Sequence, residues 1–405
     1  MGKSLSVFAL LVVGVTALLS GCGAGGFQGP DNNTGGSTVP NAVLKRVGGT
    51  ASKGIIENGT VDVYALASNG TVGKRLGGAV TNAFGQYTTS VNITGAALFT
   101  VSGGSYLDEA TGQPRTIPAA APLRAATTTV SGTMQVAITP LTELAVRAAG
   151  TPLVATRIDS ANKLISKLFK VDVLTTQPIA ATASDFAEVG TGQEQKDYAL
   201  ALAAFSQMVR DYYGGSLDAC LAAYGADLAG DSALSPDLGQ RFQSSLSAYL
   251  ASPLNETGVT DASATNLANA GGGTMILHLA TAGTLAPGAS IYGITVRLSL
   301  PPGVSVKVTD FVYRQADARA VVASGVFPTD LYTIGVFQPA NQAAPATLTV
   351  SIPQATGSPT GEFLTVVCDL PVGVSYLPSD FGVLSFKAVD KNGAEIAGLQ
   401  VEISQ

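Results

Sequence analysis

The spacing of hydrophobic positions changes along the chain, and each change predicts a different kind of structure. Leu5 to Leu19 is an almost unbroken apolar run, shorter than the ~20 residues a membrane-spanning helix needs and suited to a signal-peptide core. Residues 22–42 are rich in Gly, Asn, Thr, Ser and Pro. Such a composition buries no core and predicts a flexible tether with an r.m.s. span of about 25 Å. Over residues 43–138 apolar positions alternate in short stretches, as in Thr60-Val61-Asp62-Val63-Tyr64-Ala65-Leu66, and Asn69-Gly70 supplies a hairpin turn. Over residues 139–252 the period lengthens to three and four, with Ile158, Leu164, Ile165 and Leu168 on one face. Tyr198, Leu202, Phe205 and Met208 repeat that spacing in the longest predicted helix, over residues 193–213. Thr139 reads as an N-cap with Pro140 at the first helical position, where its missing N–H costs nothing. Residues 253–273 predict a linker, and residues 274–405 return to strand periodicity. There, strands are expected over 275–279, 291–300, 347–352, 362–370, 383–389 and 394–403. The predicted fold class is mainly β with a helical middle segment: two β-sandwich domains flanking an α-helical region.

The N-terminal segment carries its own chemistry. Leu19-Ser20-Gly21-Cys22 follows the apolar run and resembles the lipobox of bacterial lipoproteins. That resemblance implies cleavage of residues 1–21 and a diacylglycerol thioether on Cys22, with small side chains at positions 20 and 21 fitting the peptidase. It places the protein in the cell envelope, held to the membrane by its lipid. Gly23 in place of an aspartate favours the outer membrane.

Two further resemblances concern the β segments. Gly48-Gly49-Thr50-Ala51-Ser52-Lys53-Gly54, then Val61-Asp62-Val63-Tyr64, then Thr81, Gly85 and Tyr87 resemble the carboxypeptidase regulatory-like, or transthyretin-like, β-sandwich. This implies a seven-strand Greek-key module serving as a non-catalytic spacer or interaction unit. The Thr-Pro-Leu-Thr-Glu-Leu-Ala block over residues 139–145 resembles a segment that follows such domains in bacterial lipoproteins. Residues 294–304, the Gly361-Glu362-Phe363 stretch and the Asp390-Lys391-Asn392-Gly393 hairpin resemble cohesin-like and carbohydrate-binding sandwiches.

Composition then removes function classes. The chain has a net charge of −6, which argues against a nucleic-acid partner, since that needs a basic face. Of three cysteines, Cys22 is assigned to lipid, and Cys220 and Cys368 read as buried thiols outside any CxxC pair. His278 is the one histidine; it sits in an alternating strand with no acidic neighbour in sequence. No G-x-S-x-G elbow, P-loop or dinucleotide fingerprint accompanies it, so no catalytic residue is assigned. Asp108 and Glu109, adjacent in a Gly-rich loop, are a candidate Ca²⁺ site because Ca²⁺ favours oxygen ligands; no other cofactor is expected. The chain has no Trp and twelve Tyr. Tyr313, Tyr332 and Tyr376 fall near predicted loops and read as strand-end residues with buried rings. The expectation is a non-catalytic scaffold, adhesion or protein-interaction lipoprotein with an unknown protein or glycan partner. The alternative is polysaccharide binding by the C-terminal sandwich. A hydrolase using two carboxylates remains open, because composition does not exclude it.

Overall fold

The computed structural model describes residues 44–231 and 233–405. The signal peptide, Cys22 and the tether, all expected within residues 1–42, lie outside the described residues. In chain order the first strands are β1 (Lys45–Thr50), β2 (Glu57–Leu66), β3 (Val72–Val80), β4 (Gln86–Val91), β5 (Ala97–Leu107), β6 (Pro114–Ile117), β7 (Leu123–Thr127) and β8 (Met134–Gln135). Six helices follow: α1 (Pro140–Ala149), α2 (Ala155–Phe169), α3 (Ala183–Ala187), α4 (Gln193–Tyr212), α5 (Leu217–Asp231) and α6 (Pro236–Leu250). The last part carries β9 (Thr274–Ala282), β10 (Ile291–Ser299), β11 (Val308–Asp310), β12 (Gln315–Ala316), β13 (Val321–Ala323) and β14 (Ile334–Gln338). It ends with β15 (Thr347–Ser358), β16 (Glu362–Asp369), β17 (Gly382–Val389) and β18 (Gln400–Ser404). Among the described residues the fold is mainly β, with several sheets and six helices.

The first eight strands form a three-stranded sheet in the order β4-β1-β8 and a five-stranded sheet built on β2 and β5. Strand β5 is long enough to pair with β7 along its first half and β6 along its second. The Thr81, Gly85, Tyr87 pattern has a clear physical basis. Thr81 Oγ1 accepts from the Gly59 amide at 2.8 Å and donates to the Ile56 carbonyl at 2.6 Å. Gly85 turns at φ +69°, where a Cβ would lie 2.6 Å from the Ala51 carbonyl oxygen. Tyr87 is buried and its hydroxyl donates to the Val136 carbonyl at 2.7 Å, which ties β4 to the chain leaving β8.

Strand alternation points Val61, Val63, Phe99 and Val101 inward, where they meet Leu141 and Leu144 of α1 and Tyr198 and Leu202 of α4 in one continuous core. Residue 139 therefore marks a change of secondary structure within a shared core. The Thr-Pro-Leu-Thr-Glu-Leu-Ala block makes that junction. Thr139 caps α1 and Thr142 closes the capping box. Tyr198 Oη lies 2.7 Å from Thr139 Oγ1 and donates to the Val173 carbonyl at 2.8 Å. Glu143 is buried and accepts two bonds from Arg124 of β7 and one from Arg147, each 2.8 Å long. Within the helices Phe169, Phe205, Tyr224 and Phe242 pack with ring centroids 5.1–6.4 Å apart, the separation at which edge-to-face contact is favourable.

The last ten strands form a β-sandwich: a six-stranded sheet β11-β12-β14-β15-β10-β17 faces a four-stranded sheet β13-β16-β9-β18. Leu277, Leu279, Val296, Leu298, Val350, Phe363 and Val366 fill a second, separate core. Strands β11 to β14 were not expected. They are two to five residues long, too short to show a period, and the first two flank an Asp- and Arg-containing turn.

The stretch expected as a linker, 253–273, is packed between the two cores. It holds two 3-10 turns, Ala262–Ala264 and Asn266–Asn269, and buries Leu267, Ala270, Asn266 and Asn269. Asn266 acts as a substitute strand. Its Oδ1 accepts from the Val308 amide at 2.7 Å while its Nδ2 donates to the Val308 carbonyl at 2.9 Å and to Asp197 Oδ2 at 2.7 Å. At Gly272 a Cβ would lie 2.1 Å from the Leu370 carbonyl oxygen, so only glycine permits that approach.

Candidate functional site

Three polar clusters carry chemistry-bearing side chains. The first contains the two loop carboxylates. The chain reverses after β5, and the Asp108 carbonyl accepts from the Thr111 and Gly112 amides, so Asp108 and Glu109 fold back over the turn after β1. There Lys53, 1% exposed, places Nζ 3.1 Å from Asp108 Oδ2, 3.9 Å from Glu109 Oε2 and 2.6 Å from Ser206 Oγ of α4. Ser206 Oγ lies 2.6 Å from Glu109 Oε2, and the Tyr106 ring centroid is 5.3 Å from the ammonium. Burial works against the Lys53 ammonium, but the Glu109 and Asp108 carboxylates outweigh it and hold its pKa above the ordinary value. Burial alone would raise Asp108; the neighbouring Lys53 and its hydrogen bond hold it below the usual carboxylate range. The Ca²⁺ expectation at Asp108 and Glu109 thus meets a resident cation, the ammonium of Lys53. Among the described residues no group of three or more His, Cys, Asp or Glu converges as a metal site would require.

The second cluster lies on the outer face of the four-stranded sheet. Register sets His278 of β9 opposite Thr365 of β16. His278 Nδ1 is 3.1 Å from Glu362 Oε1, which also accepts from Ser324 Oγ at 2.6 Å. These hydrogen bonds, from Ser324 first and His278 second, lower the Glu362 pKa. Sequence proximity had offered His278 no acidic neighbour; the partner comes from the next strand. Glu362 sits between Ser324 and His278 Nδ1, so Ser324 donates to a carboxylate and not to the imidazole as the serine of a hydrolase triad would.

No known protein family matches the chain, and no curated protein matches it. Among solved structures, a cohesin module from Clostridium perfringens ATCC13124 family 33 glycoside hydrolase is similar to it. The alignment covers 33% of this chain and 95% of that one, at 9% identity and a TM-score of 0.18. At that identity and score the likeness says nothing of a ligand.

The third cluster is a cleft of about 600 Å³ where the two cores meet. One wall is a single face of α2, carrying Asp159, Asn162, Lys163, Ser166 and Lys167 at helical spacing. The floor is Lys170, the C-cap of α2, whose buried ammonium lies 2.7 Å from Asp369 at the end of β16. The far wall comes from the sandwich. Lys307 lies 2.8 Å from Glu194 of α4, and Arg319 holds Asp317 through Nε and Nη2 at 3.0 and 2.7 Å. Sequence reasoning missed this cleft entirely. Its walls lie far apart in the chain, and the only local sign was a run of polar positions along α2.

The remaining expected residues are placed as follows. Cys220 and Cys368 are both buried free thiols, one in each core, and burial raises both pKa values. Tyr376 donates its hydroxyl to the Pro302 carbonyl at 2.7 Å. Tyr313 and Tyr332 depart from expectation: they are 77% and 67% exposed, because they sit on turns flanking the short strands β12 and β14.

Proposed function

We propose that the chain is a non-catalytic lipoprotein of the cell envelope, anchored through Cys22 at the outer membrane. Its two-core body then serves as a scaffold, adhesion or protein-interaction module. The N-terminal sheets would be a transthyretin-like module and the C-terminal sandwich a cohesin-like one. The observation that carries this reading is the Lys53–Ser206 contact. A lysine can activate a serine only as a neutral amine, and two carboxylates hold this one protonated. This lysine–serine pair is part of a closed ionic network that ties the β5 turn to α4. Support for the two modules comes from the Thr81-Gly85-Tyr87 turn, which carries the chain from one sheet to the other, and from Asp390, whose Oδ1 accepts from Asn392 and Ala394 at 2.8 and 2.9 Å.

Two measurements test the reading on the full chain in its membrane. Labelling with an alkynyl palmitate precursor is expected on the parent and lost in Cys22→Ala; an unlabelled, soluble parent overturns the anchor. A fluorophosphonate probe should leave Ser206 unmodified, and stoichiometric labelling there overturns the non-catalytic assignment.

A second reading, polysaccharide binding by the sandwich, is favoured by the exposed rings of Tyr313 and Tyr332, since sugar faces stack on solvent-facing aromatics. Retardation of the protein in glycan-containing gels, lost in Tyr313→Ala/Tyr332→Ala, is its expected result; unchanged migration on every glycan overturns it.

A further inference from the structure

We propose that the cleft between α2 and the C-terminal sandwich is a binding site for a short acidic oligosaccharide, with the ligand's carboxylates held by Lys163 and Lys167. This goes beyond the scaffold reading and does not rest on it. The cleft has the position and size of a ligand site: it lies where two cores meet, and its roughly 600 Å³ falls within the usual range for small-molecule pockets.

Charge selects the ligand. The chain carries a net charge of −6, yet Lys163, Lys167, Lys170, Lys307 and Arg319 all line this one cleft. Its acidic groups are each engaged within the protein. Asp369 is closed on Lys170 and Glu194 on Lys307. Asp172 accepts from the Leu174 and Thr175 amides and the Thr175 hydroxyl. Asp159 pairs with Lys163 at the rim, where both side chains are more than half exposed, and such a solvent-screened pair yields readily to a competing anion. Lys167 faces the cleft from the next turn of the same helix. The mouth therefore presents two lysines one helical turn apart, about 5–6 Å between their Cβ atoms: Lys167, and Lys163, whose exposed pair with Asp159 the ligand displaces.

Two details distinguish spaced carboxylates from a compact phosphate. Arg319 is the one guanidinium lining the cleft, and its fork is already occupied by Asp317, so the bidentate clamp that favours phosphate is taken. What remains are point charges on flexible stems, suited to anions at separate positions along a chain. Beside them on the same helix face, Asn162 donates one N–H to the Ala126 carbonyl and keeps its Oδ1 for a sugar hydroxyl, Ser166 accepts from the Val173 amide and keeps its own proton to donate, and Leu174 adds apolar surface. Thr128 and Thr274 widen the hydroxyl lining.

Isothermal titration of the full-length protein with trigalacturonate, maltotriose and triglutamate tests this. The expected result is binding of trigalacturonate only, weakening with added salt. Affinity should fall at least tenfold in Lys163→Gln/Lys167→Gln, with an unchanged melting temperature because both side chains are exposed. Absence of trigalacturonate binding, or binding indifferent to that double substitution, overturns the site. Equal or tighter binding of triglutamate overturns the glycan assignment in favour of an acidic peptide. Equal binding of maltotriose overturns the role of charge.

Discussion

Replacing Lys53 with methionine keeps most of the length and bulk of the side chain and removes its charge together with its N–H donors to Asp108 and Ser206. Asp108 and Glu109 would then face each other and Ser206 with their side chains about nine-tenths buried and no cation between them. Removing one partner of a buried ionic network costs about 3–5 kcal/mol, because the remaining charges are stranded in a low-dielectric site. The described body of about 360 residues unfolds with an entropy of about 2.1 cal/mol/K per residue, so that loss lowers the melting midpoint by about 4–7 °C. Differential scanning calorimetry of parent and variant in the same buffer measures it. The triple variant Lys53→Met/Asp108→Asn/Glu109→Gln should recover more than half of the loss, since no charge is then left unpaired. A single variant melting within about 1 °C of the parent would refute the reasoning. So would a triple variant no more stable than the single one, because the cost would then be one of packing.

Asp197 provides a pH test. Burial raises its carboxyl to about 6, against the lowering effect of hydrogen bonds from Gln193 and Asn266. A carboxyl whose folded pKa lies above its unfolded value favours the protonated folded state, so its contribution is present below pH ~4 and lost as pH rises through ~6. The difference amounts to about 3 kcal/mol by linkage. Urea titrations at pH 4 and pH 7 should show that pH-dependent gain in the parent and its loss in Asp197→Asn; parallel curves would contradict it. Millimolar Ca²⁺ is expected to leave the melting temperature unchanged, because the Lys53 ammonium already occupies the space between Asp108 and Glu109, and a chelator-reversible rise would restore the metal site. The chain has three cysteines: if Cys22 carries a thioether, denatured full-length protein should titrate two thiols with Ellman's reagent and native protein none. Gly272→Ala should separate β16 from the 3-10 turn beneath it, costing several degrees of melting temperature.

The elements that were legible are those whose periodicity is local. The alternation of residues 60–66 and the three-and-four spacing of Tyr198, Leu202 and Phe205 identified β2 and α4 because each is decided within a single turn or pleat. The Thr139 cap and its proline were readable for the same reason. What local spacing does not encode is which faces meet. Lys53 lies 153 residues from Ser206 and Lys170 lies 199 residues from Asp369, so both contacts were invisible although Asp108 and Glu109 were conspicuous. Residues 253–273 looked like a linker because small and amide side chains dominate them; in the fold those same amides substitute for backbone and join the two cores. Tyr313 and Tyr332 were read as buried because the short strands beside them left no sign that the chain was turning.

The ion pair between Lys170 and Asp369 has a practical consequence for dividing this protein. A chain beginning at Thr274 would keep Asp369 but lose Lys170, together with the amides of Asn266 and Asn269 that cover β11 and the end of β16. A chain ending at Gly273 would strand the ammonium instead. The cutting point suggested by composition thus leaves each fragment with half of two charge pairs, Lys170–Asp369 and Glu194–Lys307. Whatever acts on the sandwich also acts on the helices, and the two cores are best handled as one piece.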